Sequence, residues 1–588
     1  MAVTDAPVAP VGPATAAPSG DRPNRGRVVG DLLLAVEYLL AALFVTVHLW
    51  AHLGTRMVAM ASDEVFFMWA LRHGARVVTR GENPFMTHRL NVPDGVNLIA
   101  NTSSLALTLP MAPVTVLLGP RVSFAALLTV GLAGTAFAWY LVLRRVVGRP
   151  AAALGGAFCG FAPGMISHAA GHVNWVAQFV VPFLVLAVVR LTEPGATLRR
   201  GALLGLLATV QAFVNEEVLL YTAIGCAVWL LSYGTFLARV DAGDVRVRAI
   251  RLARGLPVAA AVAGTLLAYP LHVQFTGPQA YHGLPGDLGK VGSDLASYWS
   301  FSGQSWGGSG GDQPLALNVT EQNSFFGWPL LMVAAVAMAW LWTRILARAV
   351  TVTAVCFLGL SLGPMLVVSR RSTDLPMPWR FLGRLPLLEA ALPTRFSLVL
   401  IPLLGVTLAL IVQELGERTR GPARRAGYAV LACVLVPLLP LPIQVSPFPV
   451  TPVFVSSGHW KAYVPPGGTL VPVPDNAPVD MSWQADTDAD FAVPGGYFLG
   501  PDAEGRGLFG TSPIRPSMTL FLDVGRTGNV PPVTDQQRRA LRADLAYWRA
   551  SAMVMPLDAP HAEQVRDLVD ELTGTAGQQV DDVVVWRA

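Results

Sequence analysis

Apolar residues fall along this chain in long runs rather than in alternation. Runs lie near 31–53, 103–119, 122–143, 150–167, 174–190, 201–214, 217–235, 256–273, 326–343, 350–368, 391–413 and 427–445. A helix of about 20 apolar residues crosses a hydrocarbon core, and a helix satisfies its own backbone polar groups there. The run 103–119 is short and broken by Pro110 and Pro113. It predicts a helix lying on the outer membrane surface rather than a span.

Arginines set the direction of crossing. They cluster at Arg144, Arg145 and Arg149, at Arg190, Arg199 and Arg200, and at Arg239, Arg246, Arg248, Arg251 and Arg254. Further clusters are Arg344 with Arg348, and Arg418, Arg420, Arg424 and Arg425. These occupy alternate loops, so all can be cytoplasmic together with the N-terminal Arg22, Arg25 and Arg27, which gives about eleven spans. The N-terminus is then inside and the C-terminus outside, in a bacterial plasma membrane. The long connections 54–121, 274–325 and 369–391 and the tail face outward, and function is sought there.

The expected fold class is an all-α polytopic membrane protein with a small C-terminal extracytoplasmic α/β domain. Residues 1–28, rich in Ala, Pro and Gly, read as a disordered cytoplasmic tail. Residues 29–445 form the transmembrane domain, and 446–588 the outer domain. Within the latter, 534–550 and 560–572 read as helices and 552–557 and 581–586 as strands.

Composition agrees with this reading. Of 588 residues, 53% are hydrophobic and 14% charged, against roughly 25% charged in soluble proteins. The net charge of +4 resides in short loops between apolar runs. That is a footprint of membrane orientation, and no nucleic-acid partner is expected. Nearly every base is Arg, with Lys only at Lys290 and Lys461, which points to a GC-rich bacterial genome. Cys159, Cys226, Cys356 and Cys433 sit in apolar runs without metal spacing and read as core residues.

Candidate chemistry lies in the outer loops. Asp63 and Glu64 follow the first span, and a partly desolvated carboxylate at a membrane surface suits general-base work. His168 and His172, at i and i+4 with Asn174 beyond, share a helical face able to meet a phosphate, a sugar or a metal. No third ligand is evident nearby, so no metal site is assigned; a divalent cation is left open and no other cofactor is expected. Asn215-Glu216-Glu217 joins two apolar runs at the outer surface, and acids beside spans are costly unless used or paired; Glu216 is taken as a cavity residue. The loop 369–395 carries Arg370, Arg371, Arg380, Arg384 and Arg395 against the positive-inside trend, and planar, permanently charged donors suit a lipid phosphate. Arg395 and Arg380 are the candidates. Tyr281, His282, Trp299 and Trp306 in a Gly-rich loop offer faces for sugar rings or for the headgroup belt. A Walker motif, a His-Glu-x-x-His and a nucleophile elbow are all missing from the sequence.

An acidic pair just after the first span, followed by surface helices and Arg-ended spans, resembles the GT-C superfamily of polyprenyl-phosphate-sugar glycosyltransferases. Closer likeness, to an actinobacterial group of GT-C-like membrane proteins, rests on residues 81–85 (GENPF), 93–98 (PDGVNL), Asn101-Thr102-Ser103, Gly171-His172-Val173-Asn174, 321–327 (EQNSFFG), 393–396 (PTRF), 481–485 (MSWQA) and Gly495-Gly496-Tyr497. The resemblance implies a catalytic base at Asp63 with Glu64 beside it. It departs from the family in the second outer loop, where many GT-C enzymes carry another acid and this chain has His168 and His172. The expected function is inverting transfer of a sugar from a polyprenyl-phosphate donor to an extracytoplasmic hydroxyl of a cell-envelope glycan, lipid or protein. The rivals are a transporter or flippase of lipid-linked saccharides, favoured by an inverted repeat or broken mid-membrane helices, and a non-catalytic envelope-assembly protein.

Overall fold

In the computed structural model of the chain, residues 25–102, 104–308, 314–475 and 477–588 are described. Residues 1–24, most of the expected N-terminal tail, and Ser103 lie outside them. The first helix, α1 (Arg25–Val45), begins within the expected tail, so Arg25 and Arg27 belong to its first turn.

Every apolar run expected to span folds mainly as helix, though residues 365–368 of the run 350–368 form a strand and 439–445 of the run 427–445 leave the helix. After α1 come α2 (Ala61–Arg80), α3 (Pro120–Leu143), α4 (Arg149–Phe161), α5 (Val181–Thr192), α6 (Thr197–Val214), α7 (Glu216–Ala238) and α8 (Ala242–Thr276). The bundle continues with α9 (Trp328–Trp340), α10 (Ile345–Ser361), α11 (Leu400–Arg418) and α12 (Gly421–Leu435). Among the described residues, seven helical segments are long and apolar enough to cross a membrane: 25–45, 120–143, 149–168, 173–192, 216–238, 242–276 and 393–418. The first turn of the 18-residue α6 holds Arg199 and Arg200, and α9 and α10 have only 13 and 17 residues. The run 103–119 forms two short pieces, Leu105–Thr108 and Ala112–Leu118, the second with Pro in its first turn.

Local chemistry sets the boundaries. Asn215 caps α7, its side-chain oxygen accepting from Val218 N at 3.1 Å, and Asp241 caps α8 through Asp244 N at 2.9 Å; each satisfies an orphan N–H of the first turn. Where α4 crosses α11, a Cβ on Gly155 would stand 2.7 Å from the Gly405 carbonyl oxygen. The two glycines let the backbones touch, as membrane helices do without a hydrophobic drive between them. Most of the clustered arginines stand in or beside the connections 144–148, 193–196, 239–241 and 419–420, and Arg200 Nη1 and Arg251 Nη1 reach back to Arg190 O at 2.5 Å and Thr192 O at 3.0 Å. Asp31 receives Arg144 and Arg149, and accepts from Tyr140 at 2.5 Å.

The tail holds a four-stranded sheet in the order Gln578–Val580, Val583–Arg587, Ala550–Pro556 and Thr469–Pro472. The first two pairings are antiparallel and the last parallel. Helices Pro516–Thr527, Asp535–Trp548 and Ala562–Thr573 bury Met518, Phe521, Leu541, Val565 and Leu568 against it. This unit does not stand apart from the first outer loop. Helix Ala477–Thr487 packs along α2, with Trp69 Nε1 donating to Gln484 Oε1 at 2.6 Å and Arg72 Nε to Ala485 O at 2.8 Å. Arg76, buried in α2, reaches Asp488 at 2.6 Å and Asp490 at 2.9 Å.

Candidate functional site

The site forms where the start of α2 meets the loop after α4. Met60 N donates to Ala170 O at 3.0 Å, fixing the entry of α2. Acids in a first helical turn lie in the favourable field of the helix dipole, and this turn holds Asp63 and Glu64. Successive helical residues point about 100° apart, and the two acids have separate environments. Glu64 is 2% exposed and accepts from Val58 N at 2.5 Å. Burial pushes its carboxyl up to about 8, against the hydrogen bond from Val58 and the charge of Arg121.

Asp63 faces the second loop. Its Oδ2 lies 3.1 Å from His172 Nε2, and its Oδ1 accepts from the Tyr497 hydroxyl at 3.2 Å. A Cβ on Gly171 would stand 2.9 Å from Met60 Cβ and 3.3 Å from Asp63 Cβ, so a residue without a side chain permits this approach. Burial raises the Asp63 carboxyl, but the His172 imidazole, the Tyr497 hydroxyl and the more distant Arg395 outweigh it and hold the group below the usual carboxylate range.

Behind His172 the polar chain continues. His172 Nδ1 lies 2.9 Å from His168 Nδ1. With both rings neutral, one assignment satisfies the chain: His172 Nε2–H donates to Asp63, and His168 Nδ1–H donates to His172 Nδ1. That leaves His168 Nε2 as a bare lone pair, buried and without a hydrogen-bond partner. His168 stacks on Trp175 at 5.0 Å and 13°, and the Arg395 guanidinium covers Trp175 at 4.8 Å. Arg395 Nε meets Glu321 Oε1 at 2.9 Å and its Nη1 meets Glu217 Oε2 at 2.9 Å. Asn323 donates to the second Glu321 oxygen at 2.7 Å, while Tyr221 donates to Glu217 at 2.5 Å.

His168, His172 and Glu321 each offer a ligand atom within 4.8 Å of the others. Two imidazoles and a carboxylate are borderline-hard donors suited to a divalent cation, and the unpartnered His168 Nε2 fits such an ion. The sequence pattern shows the two histidines; the third ligand comes from the EQNSFFG stretch, far along the chain.

Of the expected residues, Asp63, His168, His172 and Arg395 converge. Asn174 is buried beside them, its Oδ1 without a hydrogen-bond partner. Glu64 points away. Glu216 lies outside the cluster, accepting from Gln274 at 2.7 Å, and its neighbour Glu217 takes the place expected of it. Arg380 is exposed, with Nη1 3.6 Å from Met365 Sδ. Sequence reasoning did not assign roles to Glu217, Glu321, Trp175 and Tyr497, although all but Trp175 stand in the motifs named above.

No family model matches the chain, and no curated protein matches it. Solved structures do. The arabinofuranosyltransferase AftD from mycobacteria matches with TM-score 0.58 and 13% identity over 95% of this chain and 41% of its own. The oligosaccharyltransferase of Archaeoglobus fulgidus in the apo form matches with TM-score 0.51 and 10% identity over 90% of this chain and 70% of its own. The same enzyme tethered to an acceptor peptide gives 0.50 at 10% identity, over 90% and 69%. Both enzymes are GT-C glycosyltransferases. The chain has the GT-C fold. The GT-C likeness runs through nearly the whole chain, helical bundle and tail together, whereas the chain spans less than half the length of AftD.

Proposed function

We propose that this GT-C chain is a membrane glycosyltransferase. It moves a sugar from a polyprenyl-phosphate donor to a hydroxyl of a cell-envelope glycan, lipid or protein on the non-cytoplasmic side. The observation that carries the reading is the contact of Asp63 with His172 and Tyr497. A carboxylate below its usual pKa stays ionised, and each of its oxygens takes one protein hydrogen bond, leaving lone pairs for an incoming hydroxyl.

In the reaction the acceptor oxygen forms a bond to the anomeric carbon as the bond from that carbon to the phosphate oxygen breaks. The electron pair leaves with the polyprenyl phosphate, and Asp63 receives the acceptor proton. A single displacement inverts the anomeric centre. His172 and Tyr497 orient Asp63, and His168 holds the His172 ring. A divalent cation would take His168 and Glu321, and His172 could join it only by giving up its bond from His168 Nδ1; bound there it would neutralise the charge of the departing phosphate. Arg395 is committed to Glu321 and Glu217, so it holds these acids in place rather than gripping the phosphate. The exposed Arg380, with Arg370, Arg371 and Arg384, meets anionic headgroups of the surrounding lipid. The arginine-rich loops at the far end of the bundle are cytoplasmic, and the Asp63 end is outside.

The test gives purified protein a radiolabelled polyprenyl-phosphate sugar and a cell-envelope extract as acceptor. Transfer that vanishes in Asp63→Asn supports the mechanism, and undiminished transfer removes it. Movement of the lipid-linked sugar across vesicles without transfer would install a transporter instead.

A further inference from the structure

The tail places an aromatic surface beside Asp63 that the reaction above leaves unused. Leu499–Pro501 and Gly507–Phe509 form an antiparallel hairpin in which Leu499 pairs with Phe509. The Asn101 side chain clamps the first strand, accepting from Leu499 N at 2.5 Å and donating to Leu499 O at 2.8 Å. On the other side, His282 N donates to Gly505 O at 3.0 Å and Gly507 N to His282 O at 2.9 Å. The hairpin is therefore held from two outer loops. On it the Phe509 ring stacks on the Tyr497 ring, with centroids 5.7 Å apart and planes at 9°. Phe509 remains 49% exposed, and the hydroxyl of Tyr497 is the one that touches Asp63.

A rigidly mounted aromatic ring, one face packed and the other open, is pre-organised for a flat apolar partner. The C–H face of a pyranose or furanose ring is such a partner, and the polar rim of the hairpin, with Asp502, Glu504 and Arg506, suits its hydroxyls. We propose that Phe509 is an acceptor-side sugar platform, so that the acceptor is a carbohydrate chain. This rests on the glycosyl-transfer reading. A sugar against the open face of Phe509 lies one ring farther out than Tyr497, so the reacting hydroxyl at Asp63 belongs to a neighbouring unit. An oligosaccharide is then preferred over a monosaccharide.

Binding is measured without turnover, by saturation-transfer NMR on the full chain in nanodiscs. The probes are short linear oligosaccharides of glucose, galactose, mannose and arabinose, alongside the free sugars. The expected result is binding of at least one oligosaccharide, weakened about tenfold in Phe509→Ala, as loss of one aromatic stack predicts, and restored in Phe509→Trp. In the transfer assay the same variant raises the acceptor KM about as much and leaves kcat within about twofold. Equal binding by wild type and Phe509→Ala overturns the platform, and so does a wild type that binds none of the probes. Enhanced quenching of Phe509→Trp by brominated acyl chains also overturns it, assigning the ring to the membrane. Sugar binding that is lost in Phe509→Ala, in a protein that never transfers, strikes the reaction alone.

Discussion

The hydroxyl of Tyr497 rests 3.2 Å from Asp63, across 434 residues of chain. Two segments that composition would assign to a membrane loop and a separate outer domain thus complete one carboxylate. Asp63→Asn keeps the shape and removes the base. Transfer from labelled donor should fall by about 10²–10⁴-fold while the thermal transition and donor binding persist.

Glu64 behaves differently because it is raised to about 8, from an ordinary 4.5. Between those values the folded protein keeps a proton that the unfolded chain releases. This group's contribution to stability is therefore greatest below about pH 4.5, declines as pH rises, and levels off above about pH 8. Glu64→Gln should flatten that decline and raise the melting temperature at pH 8 relative to wild type, while transfer is retained. A loss of transfer comparable with Asp63→Asn would give Glu64 a direct part in the reaction.

Arg395 joins two acids in a polar pocket, where Glu321 is only 2% exposed. Removing the cation strands them, at a cost of roughly 3–5 kcal/mol for a broken buried pair. Arg395→Met is expected to unfold at lower denaturant than wild type, and adding Glu321→Gln should recover part of the loss. A double variant no more stable than Arg395→Met would show that the two groups are not coupled.

Manganese or zinc retention offers an independent check on the polar cluster. After dialysis, elemental analysis should find the ion in wild type and a clear deficit in His168→Ala and Glu321→Gln. Identical metal content in all three proteins would remove these residues as ligands.

Orientation is open to chemistry from either side of the membrane. Arg371→Cys and Asp241→Cys should react with an impermeant thiol reagent from opposite faces, the first from outside. Labelling of both from one face would invert or break the proposed topology.

The helices of the bundle were legible because apolar runs near the thickness of a bilayer have few alternatives to a helix. Pro110 likewise announced the broken segment before α3. The pair Asp63–His172 was half legible: both residues stand out as polar groups at span ends, but their contact depends on Gly171 lacking a side chain. Glu216 and Glu217 show the limit. They are neighbours in sequence and point in different directions from α7, and which of them meets Arg395 depends on the rotation of the whole helix. Glu64 has the same difficulty beside Asp63. Tyr497 could not be paired with Asp63 at all, since no local pattern encodes a contact between distant loops.

The clasp between α2 and the tail also bears on biogenesis. A ribosome delivers the bundle to the membrane long before it releases Gln484 and Tyr497. Until the tail emerges and docks, the Trp69 indole lacks its acceptor, Arg76 keeps only Glu82, and Asp63 lacks its second support. On the proposed reading, a half-made chain therefore holds Asp63 without its Tyr497 bond, and the carboxylate is completed only once the tail has been made.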